Sequence, residues 1–395
     1  MHLAEIISRR HVAAAGIFAA LTRRCPLGCR HCSTNSANDS EERDGAIFVR
    51  FTRSFTEDCR PDYLLLTGGE PLTRPRLVSE LARSARAAGT RTYLLTGMFF
   101  AKNGAIPGPV LRAIRDVDHV AVSIDSFHQE FVPLDRVFRA MHLMADDGTD
   151  LSVQLTGWGD DDPELAASAA AVRAEFSDRV PVLAGLVRPY GRARVLTRFV
   201  PSEGPVPPAG PVPPAGPVLP AGPVLPVGPV HPADTALGGP CSFAAWPVIG
   251  PDGTITACCN QAVVDGVALP GGGRPAHLEL GHAARDGWPE VRERCLTTPL
   301  LKAVRALGPH ASARLAADGD CGDRDCGDGY CQACWQLTGS PAAARWAASP
   351  AAQPVIALAE QQVAAAGQRQ GPAGFVRREG ASRFADLVLL GREGS

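Results

Sequence analysis

Three cysteines near the start of the chain stand close enough in sequence to bind one metal centre. Residues 25–32 read Cys-Pro-Leu-Gly-Cys-Arg-His-Cys, which places Cys25, Cys29 and Cys32 at a C-x3-C-x2-C spacing. Three thiolates can hold a cubane 4Fe–4S cluster while one iron keeps no protein ligand and stays open to a small molecule. The spacing therefore predicts a catalytic iron–sulfur site. A zinc knuckle or a disulfide loop is the alternative, but zinc needs a fourth Cys or His at short spacing, and His31 lies wedged between two cysteines.

This segment resembles the cluster motif of the radical S-adenosylmethionine (SAM) superfamily. The resemblance implies that the amino and carboxylate groups of SAM chelate the open iron, and that His31 lies near the adenine. It also implies reductive cleavage of SAM to methionine and a 5′-deoxyadenosyl radical, which takes a hydrogen atom from the substrate. We expect Arg23, Arg24 and Arg30 to offset the negative charge of the thiolates and the cluster.

Length and composition limit the class of protein. The 395 residues, 45% of them apolar, can build a large α/β barrel and a smaller domain. A net charge of −2 disfavours nucleic acid as a partner. The 12 cysteines follow metal-cluster spacings, which favours a reducing, cytoplasmic compartment. The apolar run before residue 22 is short and lacks a signal-peptide cleavage site, and no run approaches the roughly 20 apolar residues of a membrane span.

Short apolar runs alternate with alanine- and arginine-rich stretches, which is the pattern of βα repetition. This predicts an α/β fold: a partial (β/α)6 TIM-like barrel with a smaller C-terminal cysteine-rich auxiliary-cluster domain. Active sites of such barrels lie at the carboxyl ends of the strands. The predicted strands are 17–22, 63–67, 92–96, 119–124, 151–156 and 182–187. The predicted helices are 43–59, 77–88, 110–117, 134–147 and 163–176.

The second predicted strand ends in Thr-Gly-Gly-Glu-Pro, with the glycines at 68 and 69. This resembles the GGE motif of the radical SAM superfamily, which holds the amino group of SAM. Gly68 and Gly69 would let the backbone approach a ligand closely, and Glu70 would accept from an ammonium group. An ordinary turn is the alternative. The Gly-Gly-Glu segment follows both the cysteine motif and an apolar strand, however, and this position favours a role in binding SAM.

Polar residues also follow other predicted strands. Thr96 ends strand three, and Ser123 with Asp125 ends strand four, similar to the superfamily's Ser-x-Asp segment near the carboxylate and ribose of SAM. His128 follows in the substrate-facing loop as a general acid or base, or as a structural histidine. Arg192, after strand six, would meet the SAM carboxylate through a bidentate contact or be a solvated arginine.

Five proline-rich hexapeptides occupy 204–233 and predict an extended spacer, here taken as residues 201–235. A proline-rich docking site is the alternative. The spacer divides the chain into a radical SAM barrel at 1–200, an auxiliary domain at 236–340 and a helical tail at 341–395.

A second group of cysteines follows the spacer. Cys241 and Cys258 flank a Gly-containing hairpin in a pattern that resembles the start of the SPASM and Twitch extensions, C-x(9–15)-G-x4-C, which bind auxiliary 4Fe–4S clusters. The later cysteines depart from the full SPASM pattern, so one auxiliary cluster is favoured over two. The expected ligands are Cys241, Cys258, Cys331 and Cys334. Cys321 and Cys326 would replace members of that set or join Cys259 or Cys295 around a second cluster, and a zinc site at 321–334 is the alternative.

The resemblance implies the reaction class more sharply than the substrate. Superfamily members with this extension modify ribosomally made peptides, and others oxidise sugars or aminocyclitols. We favour peptide maturation, with a small-molecule dehydrogenase or epimerase as the alternative. A one-electron donor such as flavodoxin or ferredoxin is implied. Only 24 residues precede Cys25, so a separate leader-peptide-binding protein would present the peptide. A non-catalytic zinc or iron–sulfur sensor is disfavoured, since it has no need of SAM contacts.

Overall fold

The computed structural model describes residues 1–197, 239–316 and 329–392. The proposed spacer at 201–235 lies outside the described residues, as do Cys321 and Cys326. Within the described residues, none of the helices combines the length and the apolar character that a membrane span requires.

Six parallel strands form the main sheet, in the order β6-β5-β4-β3-β2-β1. Each strand pairs in register with its neighbours; Ala20 lies opposite Thr67, and Thr96 opposite Val122. The sheet is open, so the prediction of an α/β fold with a partial barrel is confirmed. The strands are β1 (Gly16–Ala20), β2 (Tyr63–Thr67), β3 (Arg91–Thr96), β4 (His119–Ser123), β5 (Leu151–Gly157) and β6 (Val182–Leu186).

Helices follow the strands and bury their apolar sides against the sheet. In the third helix, Val78, Leu81 and Ala82 recur at helical spacing and are fully buried. The helices of this half are α1 (Leu3–Ser8), α2 (Ala46–Thr52), α3 (Pro75–Ala87), α4 (Gly108–Asp116), α5 (Ser126–Gln129), α6 (Leu134–Asp146), α7 (Pro163–Phe176) and α8 (Ala193–Thr197).

The C-terminal half extends the same sheet. Strand β7 (Val248–Ile249) pairs in parallel with β1, and β8 (Thr254–Thr256) and β9 (Glu279–His282) continue from it antiparallel, which gives nine strands. The first strand of the barrel is therefore held from both sides. This places the chain after Cys241 directly beside the strand that leads into Cys25. The predicted domain limits stay a prediction.

Helices of the C-terminal half cover the free edge of β6. The backbone N–H of Ala381 donates to the carbonyl of Ala184 at 3.1 Å, and the 3-10 turn Ser382–Leu389 packs beside it. The last part of the predicted helical tail thus lies against the barrel edge. The helices are α9 (Gln261–Val264), α10 (Trp288–Thr297), α11 (Pro299–Leu307), α12 (Pro309–Ala316), α13 (Tyr330–Gln336), α14 (Pro341–Ala348) and α15 (Ala352–Glu379).

Candidate functional site

The cysteine loop, residues 25–32, starts where β1 leaves the sheet. The chain just before it packs against the Gly-Gly-Glu turn: the N–H of Gly69 donates to the carbonyl of Thr22 at 2.6 Å, and that of Glu70 to Arg24 at 2.8 Å. A Cβ on Gly69 would lie 2.3 Å from the carbonyl oxygen of Arg24, and Gly68 has a φ of +128°. Glycine is therefore needed here for the approach of the chain that carries the cysteines, in addition to any approach of a ligand.

The three cysteine thiols of the loop lie near one another. Cys29 is buried, and Cys25 and Cys32 are half-buried. Burial raises the pKa of Cys25 to about 12, with further contributions from Glu70, Cys29 and Cys32. Ionising such a group of thiols needs a cation among them, and an iron–sulfur cluster supplies that charge. The donor set therefore fits a cluster bound by three thiolates.

Residues after β6 fasten the cysteine loop from the other side. The guanidinium of Arg192 donates through Nε to the carbonyl of Cys29 at 3.0 Å and through Nη1 to that of Ser36 at 2.5 Å. Its backbone N–H donates to the carbonyl of Cys32 at 2.9 Å. The side chain of Arg192 is thus bonded to the backbone of the cysteine loop and the residues after it, and its contact with the SAM carboxylate stays a prediction.

The other arginines around the loop are paired with carboxylates. Arg23 pairs with Asp265, Arg24 with Glu42 at 3.6 Å, and Arg30 with Glu130 at 2.5 Å. The expectation that these three arginines offset the charge of thiolates and cluster was too simple, because each is already close to an acidic partner. The Arg23–Asp265 pair also ties the segment before Cys25 to the C-terminal half.

Glu70 joins the ends of two strands. Its buried carboxylate accepts hydrogen bonds from the N–H of Leu72 at 3.0 Å, the hydroxyl of Thr96 at 3.0 Å and the N–H of Gly97 at 2.8 Å. Burial raises the pKa of Glu70 to about 7, although these hydrogen bonds oppose the shift. The structure thus brings Glu70 and Thr96 together, as strands β2 and β3 predict. The contact of Glu70 with the amino group of SAM stays a prediction.

Aromatic and acidic side chains meet beside the cysteine loop. His31 stacks on Phe127 with ring centroids 4.4 Å apart, and its Nε2 lies 3.6 Å from a carboxylate oxygen of Asp125. Asp125 also accepts from Nδ1 of His128 at 2.8 Å. Burial alone would lower the pKa of His128, but Asp125 outweighs it and raises this pKa to about 10. Ser123 lies at the same edge and lines a small cleft with His128 and Gly97.

The sequence signals for this group were uneven. The Ser-x-Asp motif identified Ser123 and Asp125, and a lone His128 was weighed as acid, base or structural residue. The contact with Asp125 was not predicted, although an Asp three residues before a His on a helix could have indicated it. Phe127 carried no signal, because its stacking on His31 joins two distant segments.

The four expected auxiliary ligands converge on one pocket, which we call the cysteine pocket. Cys241, Cys258, Cys331 and Cys334 all line this one pocket. Burial raises the pKa of Cys241 to about 12, and also raises the pKa values of Cys258 and Cys334 well above their ordinary range. Four thiols that line one pocket, two of them buried, fit a metal centre that supplies the compensating charge. The rest of the lining is mostly apolar or aromatic: Phe243, Ala244, Leu278, Tyr330 and Trp335.

The other described cysteines have different neighbours. Cys259 lies against the buried guanidinium of Arg10, which lowers the pKa that burial raises. The fully buried thiol of Cys295 lies 3.8 Å from Nη1 of Arg305. Cys59 is half-buried and lies on the barrel side of the chain. Among the described residues, the cysteine pocket is therefore the one place in the C-terminal half where four thiols meet.

Several residues at the cysteine pocket had no sequence signal. The hydroxyl of Tyr190 accepts from Nδ2 of Asn260 at 2.7 Å, and the backbone N–H of Asn260 donates to the sulfur of Cys258 at 3.3 Å. Nε2 of His277 lies 3.4 Å from the sulfur of Cys334. These contacts join segments far apart in sequence, so spacing alone could not reveal them. Tyr190 also stands two residues before Arg192, which connects the cysteine pocket with the cysteine loop.

Comparison with known proteins identifies the N-terminal half. Residues 20–167 match the radical SAM superfamily. A PqqA peptide cyclase of Ruegeria pomeroyi is 37% identical over 112 residues, covering 27% of this chain and 28% of that protein. An AdoMet-dependent heme synthase of Methanosarcina barkeri is 34% identical over 116 residues, covering 28% and 31%. The chain thus spans less than a third of the length of the curated relatives it matches.

Solved structures resemble the chain more loosely. Streptococcus suis SuiB bound to its precursor peptide SuiA has a TM-score of 0.46 and 11% identity, covering 77% of this chain and 70% of that one. The superfamily match implies SAM and a 4Fe–4S cluster as cofactors. The cysteine loop, the Gly-Gly-Glu turn and the ends of β3 and β4 all lie within the matched segment. Residues 20–167 of this chain are therefore similar to the radical SAM superfamily.

Proposed function

We propose that this protein is a radical SAM enzyme that modifies a ribosomally made peptide. Its 4Fe–4S cluster would be held by Cys25, Cys29 and Cys32. When bound, cluster and SAM together supply a 5′-deoxyadenosyl radical that removes a hydrogen atom from the substrate. One observation carries the proposal: three neighbouring thiols stand at the carboxyl end of a parallel sheet, fastened to a Gly-Gly-Glu turn. Sequence relatives named as peptide cyclases support the choice of substrate.

The residues of the domain have distinct tasks in this proposal. Glu70 fixes the β2 turn against the end of β3, so that the backbone of Gly68 and Gly69 presents a preformed edge to the amino group of SAM. His31, stacked on Phe127, offers a flat surface to the adenine. Ser123 at the end of β4 supplies a hydroxyl to the carboxylate or ribose of SAM.

His128 is a second group beside this site, after Glu70, that can hold a proton. Its Nδ1 is bonded to Asp125, and its ring meets His31 edge-on with centroids 5.1 Å apart. The Asp125 carboxylate favours the protonated imidazole. His128 would therefore act as a fixed hydrogen-bond donor toward SAM or substrate, with Asp125 setting its orientation.

The cysteine pocket would hold one auxiliary 4Fe–4S cluster through Cys241, Cys258, Cys331 and Cys334. Its lining provides a largely dry environment in which a cluster can exchange an electron with the substrate side. An external donor such as flavodoxin or ferredoxin would supply electrons to the cysteine-loop cluster. A separate protein would present the leader segment of the peptide.

A second candidate is a dehydrogenase of a sugar or aminocyclitol. The observation that favours it is the gathering of described C-terminal cysteines at a single pocket, which fits one auxiliary cluster. In that case the auxiliary cluster would accept an electron from the substrate radical, and the net reaction would be an oxidation. Both candidates use the cysteine loop in the same way, and they differ in the class of substrate.

Anaerobic reconstitution tests the proposal. The protein is reconstituted with iron and sulfide, then mixed with dithionite and SAM, and 5′-deoxyadenosine is measured with and without short peptides encoded beside the gene. We expect product formation to rise when the correct peptide is present, together with a mass change in that peptide. Formation stimulated by sugars or aminocyclitols instead would favour the second candidate.

Cys29→Ala provides the critical control, since it removes the buried thiol of the loop. The variant should form no 5′-deoxyadenosine. Cys59→Ala is the matched control, because Cys59 is half-buried and belongs to neither cysteine group; it should retain wild-type formation. Persistent SAM cleavage by Cys29→Ala would overturn the cluster assignment.

A further inference from the structure

The cysteine pocket has a polar residue that the cluster ligands do not explain. His277 is 8% exposed and follows Pro275 at the start of the 3-10 turn Ala276–Leu278. Its Nε2 lies 3.4 Å from the sulfur of Cys334, and its Nδ1 lies 3.2 Å from the hydroxyl of Thr338. A buried histidine with both ring nitrogens engaged is held in one orientation.

The two contacts determine where the ring proton lies. A thiolate that ligates iron can only accept a hydrogen bond, so the nitrogen facing Cys334 must carry the proton. The hydroxyl of Thr338 can donate to the other nitrogen, which leaves Nδ1 as the acceptor.

The count of ligands leaves no iron for His277. A cubane has four irons, and the four cysteines of the pocket provide one thiolate for each. The imidazole is then left for hydrogen bonding. Beside the same sulfurs, the hydroxyl of Tyr330 donates to the carbonyl of Gly239 at 2.6 Å.

We propose that His277 is a positioning and tuning residue that donates an Nε2–H···S hydrogen bond to Cys334, with Thr338 fixing its tautomer, and thereby raises the reduction potential of the auxiliary cluster. This inference rests on the proposed auxiliary cluster. Reduction adds negative charge to the cluster sulfurs, and a hydrogen-bond donor stabilises that charge more in the reduced than in the oxidised state. The residue therefore makes the cluster a better electron acceptor.

An EPR-monitored redox titration of the auxiliary cluster tests the inference. The full-length chain carries alanine at positions 25, 29 and 32, so that the remaining signal belongs to the cysteine pocket. His277→Leu in this background should shift the equilibrium for reduction about tenfold toward the oxidised state, equivalent to about 59 mV for a one-electron couple. His277→Gln keeps an N–H donor and should recover most of the shift.

Controls separate this effect from general damage. His142→Leu removes an exposed histidine that pairs with Glu175 on the barrel, and it should leave the potential unchanged. Thr338→Val keeps the imidazole and removes only the hydroxyl, so it should shift the potential in the same direction by a smaller amount. If His277→Leu fails to bind a cluster, the potential of Thr338→Val tests the tuning role of His277: a shift supports it, and an unchanged potential contradicts it.

Distinct outcomes would contradict the two proposals. If the background protein binds no iron and sulfide, the proposed auxiliary cluster is wrong. If the cluster is present and neither His277→Leu nor Thr338→Val changes its potential, the hydrogen bond has no tuning role. A strong nitrogen coupling in pulsed EPR that disappears in His277→Leu would identify the imidazole as an iron ligand and would also overturn the inference.

Discussion

The cysteine loop and the cysteine pocket bring their thiols together in opposite ways. The loop takes its three cysteines from eight consecutive residues, and its outer members Cys25 and Cys32 are half-buried. The pocket takes four cysteines from three segments between residues 241 and 334, and two of these are buried. Consecutive ligands leave one side of a site open, whereas ligands from separate segments enclose it. The first arrangement suits a centre that must admit a reactant, and the second a centre that exchanges only electrons.

The surroundings of the two regions differ in the same sense. Beside the loop stand charged or titratable groups, namely Glu70, Asp125 and His128. Beside the pocket stand neutral donors and aromatic rings, among them His277 and Tyr330. Charged groups orient a polar cofactor such as SAM, while neutral donors adjust a potential without binding a ligand. This contrast agrees with the proposed division of tasks between the two groups of cysteines.

The largest effect should come from removing one cysteine from each region. Cys29→Ala should abolish SAM cleavage, since three thiolates are the minimum for the open cluster. Cys334→Ala should leave SAM cleavage largely intact, because the cysteine pocket is not needed to cleave SAM. The same variant should form none of the modified product. Both are measured in one assay of 5′-deoxyadenosine and product. Equal loss of SAM cleavage in the two variants would show that the regions do not have separate tasks.

Glu70, beside the cysteine loop, should make the stability of the protein depend on pH. Burial raises the pKa of Glu70 from 4.5 to about 7, so the folded state holds this proton where the unfolded chain has released it. The stabilisation of the folded state by this proton on Glu70 is fully present below pH 4.5 and is lost as the pH rises through about 7. Its size is roughly 3 kcal/mol in the free energy of unfolding.

Glu70→Gln provides the comparison for this contribution, because glutamine does not titrate. Denaturant unfolding of the cluster-free protein between about pH 5 and 8 should show wild-type stability falling relative to the variant. The control is Glu130→Gln, which removes a part-exposed carboxylate paired with Arg30. A difference between wild type and Glu70→Gln that stays constant with pH would contradict the assignment of a raised pKa.

The sequence predicts what depends on local patterns. The strand at 63–67 and the helix at 163–176 coincide with β2 and α7, because apolar periodicity and flanking turns define both ends. Motifs at strand ends also locate Glu70 and Asp125 correctly at one edge of the sheet. The C-x3-C-x2-C spacing needs no tertiary information, since its three ligands lie within one loop.

What the sequence could not reveal depends on contacts between distant segments. Glycine is needed at position 69 because the backbone of Arg24 lies against it in the fold, and the local sequence does not indicate that contact. Arg192 binds the carbonyls of Cys29 and Ser36, more than 150 residues earlier in the chain. The extension of the barrel sheet by β7 was equally hidden, since a two-residue strand has no periodicity to detect.

The smallest expected effect concerns how the loop is fastened. A Cβ on Gly191 would lie 2.4 Å from the carbonyl oxygen of Cys32, and the residue has a φ of +56°. Gly148 is the matched control, with a φ of +86° and no neighbour within 4 Å of such a Cβ. Both Gly→Ala changes carry the cost of a left-handed conformation, and only Gly191→Ala also displaces the backbone of the cysteine loop.

We expect Gly191→Ala to cost about 2 kcal/mol more than Gly148→Ala in the free energy of unfolding. It should also lower iron binding by the cysteine loop, while the cysteine pocket keeps its iron. Equal losses in the two variants would show that the loop does not depend on this contact, and a loss of iron from the pocket would show that the two regions are not independent.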